Sequence, residues 1–209
     1  MTTHKAPFEI KILNDLDEIS RTAAALIIRQ AGEKGSFAGP YSLALSGGST
    51  PRRLHEYLGR ESPAIGGLRW DNIHFFWGDE RHVPPEHPQS NFRMARETLF
   101  ASAPVPVQNI HRVPAEAPDA VIAAEQYERE LKSFFNLKTG QWPRFDCVLL
   151  GIGADGHTAS LFPGTKALKE KKRLLAANWV EQLQTHRITL TVPVLNHAAQ
   201  IIFLVSRRQ

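Results

Sequence analysis

One cysteine, Cys147, is all that the 209 residues contain, so no intramolecular disulfide is available to staple the fold. Stability must come from a packed core instead. A hydrophobic content of 42% supplies one, and a globule of this size buries roughly 70% of its unfolded surface. Cys147 lies in the apolar run 145–150 and reads as a small core residue rather than a reactive thiol. Long apolar runs are missing too. The run 201–205 is far short of the ~20 residues a spanning helix needs. The stretch from Met1 to Pro7 lacks the apolar segment of a secretion signal. A reducing, cytoplasmic setting is therefore expected. A large excess of one charge is likewise absent, with 25 Lys and Arg against 21 Asp and Glu. The one short basic cluster, Lys169, Lys171, Lys172 and Arg173, has no aromatic residues between its cations. It reads as a solvated face rather than a nucleic-acid patch.

What the chain does have is alternation. Strand patterns fall at residues 9–13, 41–46, 73–77, 145–152, 174–180, 187–191 and 200–205. Helical patterns fall at 15–31, 51–58, 92–99 and 119–135. Several strands are apolar on both faces, as in Val148-Leu149-Leu150, which predicts strands covered from both sides. The expected fold is α/β: a doubly wound, mostly parallel sheet with helices on both faces, residues 1–209 forming one domain. The Pro-rich stretch 103–118 reads as a loop within it. In such sheets ligands sit beyond the carboxyl ends of the strands.

Three polar loops occupy that position. In Ser46-Gly-Gly-Ser-Thr-Pro51, Gly47 and Gly48 let backbone N–H groups approach an anion, and Ser49 and Thr50 add hydroxyls. Pro51 is expected at the first helical position. The loop lacks the Lys of a Walker A motif, and a tight turn with a helix cap accounts for the same residues. In Trp77-Gly-Asp-Glu-Arg-His-Val-Pro84, Asp79 is placed to meet sugar hydroxyls or a catalytic group, and Arg81 a phosphate. A surface ion pair of Glu80 with Arg81 is the plainer alternative. His82 and His87 do not have the spacing of a ligand pair, and no metal site is expected. In Gly151-Ile-Gly-Ala-Asp-Gly-His157, a buried strand runs into three glycines and then presents Asp155 beside His157. A neighbouring carboxylate fixes an imidazole's tautomer and tunes its basicity. A simple helix-start histidine is the alternative there.

These segments, with Ser90-Asn91 and His186-Arg-Ile-Thr-Leu-Thr-Val-Pro193, closely resemble the 6-phosphogluconolactonase family in order and separation. The resemblance implies a Rossmann-like sheet shared with glucosamine-6-phosphate deaminase and ribose-5-phosphate isomerase. It implies hydrolysis of 6-phospho-D-glucono-1,5-lactone in the oxidative pentose phosphate pathway, without metal or organic cofactor. The partner would be that small phosphosugar lactone, with no nucleic acid or membrane, on a monomer or weak homo-oligomer. By carry-over His157 is the general base, with Asp79 and Asp155 orienting base and substrate. Arg81 and Arg187 are phosphate or substrate ligands alongside Gly47, Gly48, Ser49 and Thr50.

Two rivals remain. The deaminases follow the equivalent histidine with Asn-Glu-Pro, whereas this chain reads Leu161-Phe-Pro163, without the acid that assists ring opening. A noncatalytic sugar-phosphate binder is the other. The family pattern continues past 201–205 with Ser-Gly and a phosphate-contacting Lys, while this chain reads Ser206-Arg-Arg-Gln209. The resemblance therefore implies a shortened C-terminus, weaker phosphate binding unless Arg207 or Arg208 substitutes, and exposed apolar sheet surface.

Overall fold

The computed structural model describes residues 8–34, 39–61 and 68–206. Helix α1 (Leu16–Lys34) opens on Asp15, whose Oδ1 accepts the Glu18 N–H at 2.7 Å, while Glu18 accepts the Asn14 N–H at 2.8 Å. One orphan helix-end donor and the N–H just ahead of the cap are thereby satisfied. Its buried stripe, Ser20, Ala23, Ala24, Ile27 and Ile28, follows the helical period. The helix runs a turn beyond the expected end, and Lys34 there pairs with Asp146 at 2.7 Å.

Strand β1 (Tyr41–Leu45) is buried throughout. It lies between β2 (Ile73–Trp77) and β4 (Cys147–Leu150), with β7 (Ile201–Phe203) beyond, and every pairing in this four-stranded sheet is parallel. Leu43, Phe75, Phe76, Val148 and Leu149 form its core. The Phe76 ring meets those of His111, Phe134 and Phe145. Cys147 is fully buried, as its apolar setting implied. Helices α2 (Ser49–Glu61), α3 (Asn91–Ala95) and α4 (Ala120–Phe134) flank this mostly parallel sheet. Helix α3 passes directly into a π-helical turn, Arg96–Phe100.

A second sheet was not anticipated. Strands β3 (Asp79–Arg81), β5 (Leu175–Val180) and β6 (Thr185–Leu190) pair antiparallel in the order β3-β6-β5. Gly78 is the seam between the sheets: its N–H donates to the Leu45 carbonyl and its own carbonyl accepts from Leu190, both at 2.9 Å. Short helix α5 (Val192–His197) then leads to β7.

The expected strand at residues 9–13 is not formed. That segment is unpaired, with Ile12 93% exposed. Alternating polarity makes a strand only where cross-strand partners exist, and none is engaged here. Helix α2 starts at Ser49, which puts Pro51 third rather than first. Strand β7 is an edge, and Phe203 and Val205 on and beyond it are each about half exposed. Arg207 and Arg208 lie outside the described residues.

Candidate active site

All four parallel strands deliver their carboxyl ends to one edge. The loops that leave them contain residues 46–48, Gly78, 151–163 and 204–206. Their cross-links are direct. Thr50 and Ser206 hydroxyls lie 2.8 Å apart, joining the start of α2 to the end of β7.

At the first loop, Gly48 adopts φ +109°, a value L side chains rarely tolerate, and its carbonyl accepts the first α2 bond from Arg52. The N–H groups of Ser49 and Thr50 then belong to the opening turn, where helical donors lack intrahelical partners. Gly47 is pressed against α3: a Cβ there would lie 2.0 Å from Asn91 Oδ1. Ser46, at the root of the loop, is buried with its hydroxyl unpartnered.

At the second loop the three charges separate. Asp79 and Glu80 are buried, so the simple surface ion pair is not what forms. Glu80 accepts the N–H groups of Arg81, Asn91 and Phe92 at 2.8 Å each and the Ser90 hydroxyl at 3.1 Å, tying β3 to the start of α3. Burial pushes its carboxyl above the ordinary range, and those backbone bonds pull against the rise. Asp79 Oδ2 accepts the Ser160 hydroxyl at 2.6 Å, and Asn91 Nδ2 donates to the Asp79 carbonyl at 2.9 Å. Asp79 thus bonds to the histidine loop through Ser160.

Arg81 and Arg187 stand directly opposite each other across β3 and β6. Arg81 Nη1 donates to the Gln89 carbonyl at 2.8 Å, but Arg81 Nε and Arg187 Nη1 are buried without a hydrogen-bond partner. Arg187 is 8% exposed. Desolvation, reinforced by Arg81, lowers its pKa against the pull of Asp79 and Glu80. Like charges facing across a ladder destabilise it, and unpaired donors cost free energy. An anion between the two guanidiniums would relieve both.

At the third loop, His157 Nδ1 lies 2.5 Å from Asp155 Oδ1, which also accepts the His157 N–H at 3.2 Å. The imidazole hydrogen bond holds the Asp155 carboxyl below its ordinary pKa. An ionised Asp155 accepts only, so Nδ1 is the donor, and in the neutral imidazole Nε2 then holds the lone pair. The ring stacks on Phe162 at 4.0 Å between centroids. Gly153 permits this placement, since a Cβ there would lie 2.2 Å from two ring atoms.

His82 Nε2 bonds to the Ala117 carbonyl and His87 Nδ1 to the Gln89 N–H. Among the described residues no group of three or more His, Cys, Asp or Glu is arranged to hold a metal ion. Sequence reading gave no role to Asn91, Ser160, Thr189 or Asn178. All four are buried polar residues, a state that residue type alone does not signal.

A parallel α/β sheet with an oriented imidazole on a loop at its carboxyl edge, and two facing arginines on the antiparallel strands β3 and β6, offers a base and cationic donors suited to a small anionic ligand. The family model for glucosamine-6-phosphate isomerases/6-phosphogluconolactonase matches residues 14–209, and the chain belongs to that family. A 6-phosphogluconolactonase of Nostoc is 40% identical over 197 residues, covering 94% of this chain and 79% of the relative. One of Synechocystis is 45% identical, covering 80% of this chain and 67% of its own length. The solved 6-phosphogluconolactonase of Trypanosoma cruzi superimposes with a TM-score of 0.84 at 31% identity, covering 97% and 82% of the two chains.

Proposed function

We propose that this protein hydrolyses 6-phospho-D-glucono-1,5-lactone to 6-phosphogluconate, the reaction of the oxidative pentose phosphate pathway. Its relatives carry the 6-phosphogluconolactonase name at good identity and coverage. The observation that supports it most is the orientation of His157, with Nδ1 held by Asp155 and Nε2 left as the basic nitrogen. In this reading Nε2 takes a proton from water while the water oxygen bonds to the lactone carbonyl carbon. The resulting oxyanion collapses, the bond to the ring oxygen breaks, and the imidazolium returns its proton to that oxygen. Such a positioned base contributes roughly 10²–10⁴-fold. Arg81 and Arg187 hold the phosphate, with the donors of Gly47, Gly48, Ser49 and Thr50 beside it, and Asp79 orients the substrate.

No organic cofactor or metal enters any step of this reading. No helix among the described residues is long and apolar enough to cross a membrane, and we place the enzyme in the cytoplasm, acting on a small molecule as a monomer or weak oligomer. The test is lactone hydrolysis above the spontaneous rate for wild type and His157→Ala. Wild type should exceed the spontaneous rate and the variant should fall toward it; equal rates would remove the catalytic assignment. Release of ammonia from glucosamine 6-phosphate would redirect it to the deaminase branch.

A further inference from the structure

Ser160 is 1% exposed, and each of its polar groups engages a different strand of the antiparallel sheet. Its hydroxyl donates to Asp79 Oδ2 of β3 at 2.6 Å. Its N–H donates to Thr189 Oγ1 of β6 at 3.2 Å, and its carbonyl accepts from Asn178 Nδ2 of β5 at 2.9 Å. The residue before it, Ala159, is held at φ 48°, a left-handed backbone that non-glycine residues avoid. Such strain persists only where the surroundings over-determine it. Upstream, Thr158 anchors its hydroxyl to the Gly151 carbonyl at 2.9 Å and bridges to Leu161. His157 therefore leaves a short, doubly fastened turn whose far end is stitched to the sheet that carries Asp79, Arg81 and Arg187.

We infer that Ser160 is a positioning residue for the hydrolysis, fixing Asp79 and the His157 loop in one register through its hydroxyl. This rests on the lactonase reading above. Asp79 offers two oxygens. Oδ2 is committed to Ser160, and Oδ1 has only a 3.4 Å approach from Asn91 Nδ2. One oxygen is thus pinned by a short charge-assisted bond while the other keeps capacity for a substrate hydroxyl. Without the serine hydroxyl, the carboxylate is free to rotate and its link to the histidine loop is gone. The two backbone bonds of Ser160 remain.

The experiment compares wild type, Ser160→Ala, Asp79→Asn and the double variant in lactone hydrolysis. Calorimetric titration of 6-phosphogluconate on each serves as a readout independent of turnover. Ser160→Ala should lower kcat by about 10–100-fold, the cost of a misplaced catalytic geometry, with KM and product affinity changed less than about threefold. The double variant should be little worse than the poorer single one, because both remove the same link. An unchanged kcat, a loss confined to KM, or losses that multiply in the double variant would each overturn the inference. If Ser160→Ala fails to fold, Ser160→Cys is read instead, since its thiol fills the same space with a weaker donor; a lowered kcat supports the role and an unchanged one overturns it. A wild type no faster than spontaneous opening would overturn the lactonase reading and this inference with it, whereas an active wild type matched by Ser160→Ala would overturn the inference alone.

Discussion

The two sheets divide the work between them. In the parallel sheet most buried side chains are apolar, among them Leu43, Leu45, Phe75, Phe76, Val148 and Leu149, which need no partners beyond packing, and buried Ser42 is a polar exception bonded to Asp146. In the antiparallel sheet the buried set includes Asp79, Glu80, Asn178, Arg187 and Thr189, each a group that burial penalises. The first sheet obtains its stability from apolar area. The second holds polar groups in place through specific hydrogen bonds, and at Arg81 and Arg187 it leaves donors unpaired. Gly78 joins the two, so the charged strand β3 begins where the apolar strand β2 ends. Apolar packing and the fixing of polar groups are thus concentrated in adjacent but physically different sheets.

That contrast is open to breaking. Phe76→Ala, in the centre of the parallel sheet, should cost about 3–5 kcal/mol in chemical denaturation. A cost below about 1 kcal/mol would mean that the ring cluster is not the core. Where the first loop meets α3, Gly47→Ala drives a Cβ into Asn91 and breaks its bond to the Asp79 carbonyl. The expected loss is about 1–3 kcal/mol, the cost of an orphaned buried group, together with lowered turnover. Gly153→Ala should leave the denaturation midpoint near wild type, since the loop is largely solvent-facing. Its turnover should nonetheless fall by more than about tenfold, because the ring of His157 must move.

Acid stability tests the apolar half again. His55 in α2 is fully buried with both ring nitrogens unpartnered, and burial lowers its pKa from 6.5 to about 3. The folded state then binds the proton less well than the unfolded state. Stability is full above pH 6.5 and declines as pH falls from there toward 3, by about 1–2 kcal/mol at pH 5. His55→Leu should flatten that acid limb; an unchanged slope would assign it to other groups.

Much of the apolar half was legible in the sequence. Parallel strands covered on both sides read as continuous hydrophobic runs, and α1 and α4 announce themselves by their helical spacing, with Asp15 and Asp119, read as their first residues, serving as caps. In the polar half the patterns at 174–180 and 187–191 foretold β5 and β6, but neither β3 nor the separate antiparallel sheet was legible. Asp79-Glu80-Arg81 has the composition of a loop, and its strand exists because Thr189, Ile188 and Arg187 pair with it from over a hundred residues away. The β5–β6 hairpin turns through Gln184 at φ 45°, where no Gly signals the reversal. Residues 9–13 show the converse, a strand pattern that pairs with no other strand. At the site, Asp155, His157, Arg81 and Arg187 stand out by residue type, whereas Ser160 is one serine among many until three strands converge on it.

The smallest expected stability effect is also the most telling, because it falls on the arginine couple. Arg187→Met removes a desolvated cation that faces another cation, and replacing such a charge with an apolar group is often neutral or stabilising. The direct measurement is the thermal midpoint of wild type and Arg187→Met, each with and without 6-phosphogluconate. The variant alone should melt no lower than wild type, and only wild type should gain substantially from the ligand. A variant that melts well below wild type and still responds fully to 6-phosphogluconate would contradict this, for the couple would then be structural and the anion seat would lie elsewhere.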